Sequence, residues 1–298
     1  MKIFTDVQIG AASHTGRVRR SNEDDYLLWM PAERERGRLM VLADGMGGVT
    51  GGAEASRAAV RAVAATFLEP GGDRPEAAKA RMGDAFANAC RTVFGRSREN
   101  PGLRSMGTTL TALYLRGDRA LLGHVGDSRC YRWRDGRLEQ LTTDHAVRNE
   151  NRLTRCVGGG RDTEEIDLLE SEARVDDRWL LVSDGVWESV RADEVAHLLE
   201  RRAPQEAAEA LVRLSHARGG TDNATAVVLQ VVGDPTAPAE RRETEMSADE
   251  PTMTSDLERR QVSLRRPRWP WAVLALSVVL GGLAVARWVF GFDLLGRG

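Results

Sequence analysis

The chain has 298 residues, of which 42% are hydrophobic and 29% are charged, and its formal net charge is −2. These proportions are close to globular averages and argue against a wholly disordered chain. Because the charge is nearly balanced, the chain has no bulk positive field to attract nucleic acid, so we expect no nucleic-acid partner.

The beginning of the sequence carries no export signal. Residues 1–6, MKIFTD, lack the apolar core of a signal peptide. The three cysteines, Cys90, Cys130 and Cys156, are far apart and form no CxxC pair. This pattern argues against a disulfide framework and a cysteine-based zinc site, and is consistent with a reducing compartment. We therefore expect the first part of the chain to lie in the cytoplasm.

Apolar runs and glycine turns divide residues 1–232 into strands and helices. Strands are predicted at 38–43, 108–115, 120–125, 129–133, 179–183 and 224–232, with a strand-like run at 26–29. Helices are predicted at 52–68, 75–94, 192–200 and 205–216. Asp135-Gly136 between apolar runs indicates a hairpin turn. The order of elements indicates an α+β fold rather than alternating βαβ units.

Two segments of different composition follow. Residues 233–268 contain eight acidic residues, seven arginines, four prolines and no aromatic residue. Such a stretch buries too little apolar surface to offset the entropy of ordering, so we predict a disordered linker. The run 269–286 contains no charged residue, and 269–290 is predicted to be a single transmembrane helix, followed by a short tail at 291–298.

The residues that flank this apolar run indicate its orientation. Tryptophans near both ends match the aromatic belts of membrane interfaces. The flanking arginines are Arg265, Arg266 and Arg268 before the run and Arg287 and Arg297 after it. The positive-inside bias therefore places the N-terminal side in the cytoplasm. A buried core helix would need a surrounding domain, which the linker does not supply. We expect a single-pass anchor in the inner or plasma membrane.

Acidic residues stand at the ends of several predicted strands. Asp44 and Asp184 each follow an apolar run and precede a glycine, and Asp127 and Asp222 lie beside other strands. For one Asp-Gly pair alone, a simple turn is the commoner explanation. Several such clusters are harder to explain in this way. If these acids converge, protons or hard cations such as Mg²⁺ or Mn²⁺ have to neutralise their repulsion.

Seven short motifs occur in one order along the chain. They are RxxNED at 19–24, ADGMGG at 43–48, MGTT at 106–109, HVGDSR at 124–129, LTTDH at 141–145, SDG at 183–185 and GTDNAT at 220–225. In order and approximate spacing, residues 8–232 resemble the PP2C (PPM) family of metal-dependent protein serine/threonine phosphatases, in particular its bacterial members. The resemblance implies a four-layer αββα sandwich, in which two antiparallel β-sheets are flanked by helices.

The same resemblance implies a site for two Mn²⁺ or Mg²⁺ ions, with a possible third, at one end of the sandwich. Asp44 is implied to bridge two ions, with the carbonyl of Gly45 as a ligand of one of them. Asp184 and Asp222 are implied to complete the shell of the other ion. Asp127, together with Asp184, resembles the ligands of the third ion in bacterial members.

Three further residues have implied roles around the ions. Glu23 and Asp24 are implied to act through metal-bound water or from behind the direct ligands. Arg19 takes the position of the arginine that holds the substrate phosphate, and its planar fork suits phosphate oxygens. Arg20 is the alternative for this role, and the spacing to Asn22 favours Arg19.

The activity implied by the resemblance is hydrolysis of phosphoserine and phosphothreonine in proteins by a metal-bridging hydroxide. A serine/threonine protein kinase at the membrane is the expected antagonist. Two alternatives stay open: a catalytically weak phosphatase fold that binds phosphoproteins at the membrane, and a metal-dependent hydrolase of small phosphorylated signals.

The sequence departs from the family pattern at two places. Met46 stands where eukaryotic relatives place a histidine after Asp-Gly, although bacterial relatives often have methionine there. Only residues 146–150 separate the DH motif from Asn151, where relatives usually carry a longer helical flap. We therefore expect a more open site, which leaves the manner of substrate selection undecided.

Three residues could suggest other chemistry. His124 lies within a predicted strand. His145 follows Asp144, and because adjacent residues of an extended chain point to opposite faces, the two are not expected to form a catalytic dyad. We predict structural roles for both histidines. Cys156 precedes a glycine run without the closing arginine of a cysteine-based phosphatase loop, so we do not expect it to be a nucleophile.

Overall fold

The structure is a computed structural model that describes residues 6–31, 36–68, 77–147, 152–161 and 164–233. Among the helices of these ranges, none combines the length and the apolar character needed to cross a membrane. The predicted membrane helix at 269–290, the tail at 291–298 and all of the predicted linker except Gly233 lie outside them.

Twelve strands, five α-helices and a 3₁₀ helix at Pro101–Leu103 form the named elements of the described residues. The strands are β1 (Asp6–His14), β2 (Asp24–Trp29), β3 (Arg38–Met46), β4 (Gly107–Thr108), β5 (Leu110–Arg116), β6 (Arg119–Val125), β7 (Arg129–Arg134), β8 (Arg137–Gln140), β9 (Val157–Gly158), β10 (Asp167–Glu172), β11 (Arg178–Val182) and β12 (Ala224–Val232). The helices are α1 (Gly48–Leu68), α2 (Ala78–Glu99), α3 (Asp184–Trp187), α4 (Ala192–Arg201) and α5 (Pro204–Ala217).

The strands form two antiparallel sheets. One has the order β1-β12-β11-β7-β8, and the other has the order β10-β6-β5-β3-β4-β9, with β2 paired to β3. A shared apolar layer that includes Met40 and Trp179 lies between the sheets. Helices α1 and α2 cover the outer face of the second sheet around Phe86, and α4 and α5 cover the first around Leu211. The sandwich of two sheets flanked by helices, as implied by the sequence motifs, is therefore confirmed.

Most predicted elements occur within a few residues of their expected bounds, and the exceptions are informative. At Asp135 and Gly136 φ is +50° and +77°, as the predicted hairpin between β7 and β8 requires. The predicted strand at 108–115 is interrupted at Thr109, which separates β4 from β5. Strands β1 and β10 were not predicted, because they lack a run of large apolar residues.

The sequence predicts that Asp44 and Asp184 stand at strand ends, and the structure corrects this for Asp44. Strand β3 continues through Asp44 and Gly45 to Met46, whereas Asp184 follows the end of β11 and begins α3. Gly45 and Gly185 are needed for close approach of the backbone rather than for a turn. A Cβ at Gly45 would lie 2.1 Å from the carbonyl oxygen of Gly52, and a Cβ at Gly185 would lie 2.1 Å from that of Asn223.

Candidate metal centre

One end of the sandwich gathers carboxylates from both sheets. Asp24 in β2 lies directly opposite Asp44 in β3. From the other sheet, Asp184 follows β11 and Asp222 precedes β12. The pKa of Asp44 is raised well above its usual range. Burial is the largest cause, and repulsion from Asp24, Asp184, Asp127 and Asp222 adds to it. The structure thus brings together the aspartates that the sequence pattern singled out.

Asp24 is held by neutral groups of the facing sheet. Its Oδ2 accepts hydrogen bonds from Ser183 Oγ at 2.8 Å and Thr225 Oγ1 at 2.6 Å. Its Oδ1 is buried and has no hydrogen-bond partner among the described residues, and the same is true of Asp184 Oδ1. A buried carboxylate oxygen without a partner is costly, so a cation or a proton bound at these two atoms would be stabilising.

Within the described ranges, Asp24, Asp44 and Asp184 form no ion pair with a basic side chain, whereas Asp222 and Glu23 lie against Arg19. Burial, with repulsion from neighbouring acids, raises the pKa of Asp184 to about 7. Burial also raises the pKa of Asp24 to about 6, although the hydroxyls of Thr225 and Ser183 oppose the rise. The pKa of Asp127 rises to about 6 for the same main reason. Burial raises the pKa of Glu23 as well, against the charge of Arg19.

Two threonines fix the backbone at Asp44. The Asp44 N–H donates to Thr109 Oγ1 at 2.9 Å, and the Thr109 N–H donates to the Asp44 carbonyl at 2.8 Å. Thr108 Oγ1 donates to the same carbonyl at 2.8 Å. The MGTT motif marked this segment in the sequence, but the sequence alone assigned it no task. The structure shows that its hydroxyls hold the strand that carries Asp44.

Arg19 lies at the edge of the cluster. Its Nη2 donates to Asp222 Oδ2 at 2.6 Å, and its Nη1 lies 3.8 Å from Glu23 Oε2. The side chain is 47% exposed, so the guanidinium faces both the carboxylates and solvent. Arg20, the alternative phosphate-binding residue, is exposed like Arg19 but forms no ion pair with the cluster in the part of the chain that the structure describes. The geometry therefore favours Arg19, as the spacing predicted.

Asp127 sits on a loop that neighbouring side chains hold by its backbone. Trp187 Nε1 donates to the Asp127 carbonyl at 3.0 Å. The preceding Gly126 has a φ of +112°, and its N–H donates to His145 Nδ1 at 3.1 Å. His145 Nε2 then faces Asp167 Oδ2 at 3.0 Å. The ring of His145 therefore serves the loop, as predicted, and does not face the carboxylate cluster.

The other two residues considered for alternative chemistry also have structural surroundings. His124 is buried, with its ring nitrogens 3.0 Å from Thr111 Oγ1 and 3.2 Å from the Thr143 carbonyl. Burial lowers the pKa of His124 to about 4, so its ring is neutral at physiological pH. Burial raises the pKa of the Cys156 thiol, which disfavours a nucleophilic thiolate.

The described residues on either side of 148–151, after the DH motif, pair with each other. Ala146 and Leu153 form an antiparallel bridge, and the Val147 N–H donates to the Arg152 carbonyl at 2.9 Å. The chain therefore leaves and rejoins the sandwich at adjacent points. Residues 148–151, which the sequence marks as part of a short flap, lie outside the described ranges.

The atoms of the carboxylate cluster that could bind a metal ion determine which cations suit it. Within the described ranges, no three acidic, histidine or cysteine side chains already form a group arranged to hold a metal ion. The chemistry of the cluster nevertheless fits Mn²⁺ or Mg²⁺, because its donors are carboxylate and carbonyl oxygens. The unpartnered oxygens of Asp24 and Asp184 and the shared repulsion at Asp44 are the features that a bound cation would relieve.

Comparisons with known proteins agree with this description. The family model described as Protein phosphatase 2C matches residues 13–217. The serine/threonine protein phosphatase PstP of Mycobacterium tuberculosis is 35% identical over 245 residues, which cover 76% of this chain and 45% of PstP. This chain therefore spans about half the length of that relative. The serine/threonine phosphatase Stp of Listeria monocytogenes is 27% identical over 235 residues, which cover 72% of this chain and 92% of Stp.

One solved structure of a relative contains metal ions. The catalytic domain of PstP, crystallised in complex with two manganese ions, superposes with a TM-score of 0.67. The match has 36% sequence identity and covers 76% of this chain and 98% of that one.

Proposed function

This chain belongs to the protein phosphatase 2C family, and we propose that it hydrolyses phosphoserine and phosphothreonine in proteins with Mn²⁺ or Mg²⁺. One observation carries the proposal. Asp24, Asp44 and Asp184 are gathered in one cluster with no ion pair to a basic residue of the described ranges, and the half-exposed Arg19 stands beside them. The solved structure of the PstP catalytic domain with two manganese ions supports the same conclusion.

The residues that would hold the ions come from both sheets. In the proposal, the Asp44 carboxylate, the Gly45 carbonyl, Asp184 and Asp222 would be direct ligands of two ions. Glu23 and Asp24 would act through metal-bound water or from behind the direct ligands, and Asp127 with Asp184 would hold a third ion. When bound, the ions would acidify water and offset the negative charge of the phosphoryl group.

The chain's own residues orient the substrate and the ligands. Arg19 presents two parallel N–H donors to phosphate oxygens, a geometry that lysine cannot supply. The bonds of Thr108 and Thr109 to Asp44 and those of Ser183 and Thr225 to Asp24 are already formed, so these acids need little reorganisation. The exposure of Arg19 suits a phosphorylated side chain on a protein surface.

We also propose that the protein is anchored in the membrane by 269–290 with its phosphatase part in the cytoplasm, where it opposes a serine/threonine protein kinase. The support is the sequence: the uncharged run, the flanking arginines and the polar linker. A flexible linker of 36 residues has an r.m.s. span of roughly 30–36 Å. Such a tether raises the effective concentration of the enzyme towards membrane-bound substrates.

Phosphate release tests the proposed activity. The full chain should release phosphate from phosphothreonine and phosphoserine peptides with Mn²⁺ and lose this activity with EDTA. Absence of release by protein with Mn²⁺ demonstrably bound would overturn the proposal. Phosphopeptide binding that persists in both wild type and Asp44→Asn, without turnover in either, would favour the phosphoprotein-binding alternative. Competition between phosphopeptides and small phosphate esters at equal concentration separates the remaining alternative.

A further inference from the structure

Asn223 forms an unusual set of hydrogen bonds beside the carboxylate cluster. Its Nδ2 donates to two backbone carbonyls, those of Thr15 at 2.7 Å and Ser21 at 3.0 Å. Its Oδ1 accepts from the Glu23 N–H at 2.8 Å. The residue is 3% exposed. One buried amide therefore forms hydrogen bonds with both ends of the 15–21 loop and with Glu23, the residue before β2.

The loop held in this way carries Arg19 at its tip. Residues 17–21 are exposed, so their side chains provide little packing to hold the loop. At its first end, the Arg17 N–H donates to the Gly220 carbonyl at 2.7 Å, and Gly16 has a φ of +82°. A Cβ at Gly16 would lie 2.3 Å from the Asp222 carbonyl oxygen. The loop thus lies directly against the segment that carries Asp222 and Asn223.

An arginine on a short exposed loop binds phosphate tightly only if the backbone of the loop is already fixed. Fixing one backbone residue costs roughly 1–2 kcal/mol of conformational entropy, so the five exposed residues 17–21 would otherwise sample many conformations. Asn223 offsets part of this cost through contacts that are already made without substrate. Pre-organisation of this kind lowers the free energy needed to bind the phosphate.

The same residue is connected to the neighbouring acid through its backbone. The Asn223 N–H donates to Asp222 Oδ1 at 2.7 Å. This bond does not involve the Asn223 side chain and survives its truncation. The side chain thus serves the loop and the backbone serves the acid, so the two effects can be separated by mutation.

We propose that Asn223 is a positioning residue that sets the affinity for the substrate phosphate by holding the Arg19 loop against the metal-binding end of the sandwich. The inference rests on the proposed function, because it assigns Arg19 to the phosphate. It predicts that phosphate affinity depends on the Asn223 side chain, whereas Mn²⁺ affinity depends on it only weakly.

Asn223→Ala in the full chain tests this assignment. We expect the Kd for inorganic phosphate, measured with Mn²⁺ bound, and the KM for a phosphopeptide each to rise about tenfold, while kcat changes less than threefold. The Mn²⁺ Kd, measured by calorimetry, should stay within threefold of wild type. Hydrogen exchange at the Glu23 and Arg17 amides should become at least about tenfold faster.

Two further variants make the result specific. Asn223→Asp keeps the oxygen that accepts from the Glu23 N–H and loses the donors to Thr15 and Ser21. It should weaken phosphate binding while Glu23 stays protected. Asn88→Ala truncates a half-buried amide that bonds to α1 instead and should leave phosphate affinity unchanged.

The outcomes divide clearly. Unchanged phosphate affinity in Asn223→Ala would overturn the proposal, as would equal losses in Asn223→Ala and Asn88→Ala or a parallel loss of Mn²⁺ affinity. If the wild type binds Mn²⁺ and phosphate but releases no phosphate from peptides, the proposed function fails. The phosphate affinities and the exchange rates still decide the role of Asn223 in that case.

Discussion

The buried carboxylates at the two ends of strand β11 have hydrogen-bond partners of different charge. Before the strand, Asp177 is 1% exposed, and Arg134 donates to both of its oxygens at 2.5 Å. After the strand, the Ser183 hydroxyl donates to Asp24, which is 9% exposed and has one oxygen without a partner. At the first end the fold supplies its own cation, and at the second it supplies only neutral donors.

This difference distinguishes a structural ion pair from a site. Burying a carboxylate without a countercharge is unfavourable, and clustering several such groups adds repulsion. The Asp177 end avoids that cost within the chain. The Asp24 end retains it, and perturbed acids of this kind occur most often at functional sites. The following predictions test the contrast, beginning with the largest expected effect.

Asp44→Asn should affect activity and stability in opposite directions. Removing the acid that the proposal places between two ions should lower phosphate release on the order of 10³-fold. In EDTA near pH 8, the melting temperature should not fall, because the substitution removes like-charge repulsion. Asp84→Asn, which changes an exposed acid on α2, is the control for both assays. A lower melting temperature for Asp44→Asn without metal would contradict the account.

Asp177→Asn should show the reverse pattern. Loss of the carboxylate removes the charge-assisted hydrogen bonds that Arg134 donates to Asp177, which costs about 2 kcal/mol of folding free energy. Urea unfolding measures this loss. The stabilisation that Mn²⁺ provides should be the same as in wild type, because Asp177 takes no part in the site. A reduced response to Mn²⁺ in this variant would show that the two ends are not independent.

Mn²⁺ should raise the melting temperature, and the rise should grow with pH. At about 100 times its Kd, a ligand of the native state adds about 2.7 kcal/mol, or roughly 5–10 °C. The folded pKa values of Asp24, Asp127 and Asp184 are raised to about 6, 6 and 7, so the folded state binds more protons than the unfolded chain. Metal-free stability should therefore decrease as pH rises from about 4 to 7.

Metal binding requires the ionised acids, so the gain from Mn²⁺ should be larger near pH 8 than near pH 5. Calorimetric scans with Mn²⁺ and with EDTA across this range measure both trends. A gain from Mn²⁺ that is the same at both pH values would count against these carboxylates as ligands.

Arg19→Lys should have the smallest effect of the four changes. The charge is kept and the planar fork is lost, so we expect the KM for a phosphopeptide to rise about tenfold, which corresponds to about 1.4 kcal/mol. Arg20→Lys is the matched control and should leave the KM within twofold. Equal effects of the two substitutions would remove the basis for assigning the phosphate to Arg19.

Much of the fold followed from local patterns in the sequence, whereas the proposed ligands of the site were implied by the family resemblance. Buried strands such as β3 and β12 are continuous apolar runs, and the hairpin at Asp135 has its own turn chemistry. The convergence of Asp44, Asp184 and Asp222 was inferred from motif order, and the structure places these aspartates together.

What the sequence did not reveal depends on contacts between distant segments. The interruption at Thr109 follows from its bonds to Asp44, 65 residues away. The hold of Ser183 and Thr225 on Asp24 joins residues 159 and 201 positions apart. The bonds from Asn223 to the Arg19 loop span 202 and 208 positions. No local period encodes such pairs, because each depends on how distant segments of the chain pack together.

Anomalous diffraction from crystals grown with Mn²⁺ tests the central claim most directly. The account predicts at least two manganese peaks at the Asp44 end of the sandwich, in contact with Asp44, Asp184 and Asp222, and none beside Asp177. Crystals that show no manganese at these aspartates, from protein that is folded and saturated with Mn²⁺, would contradict it.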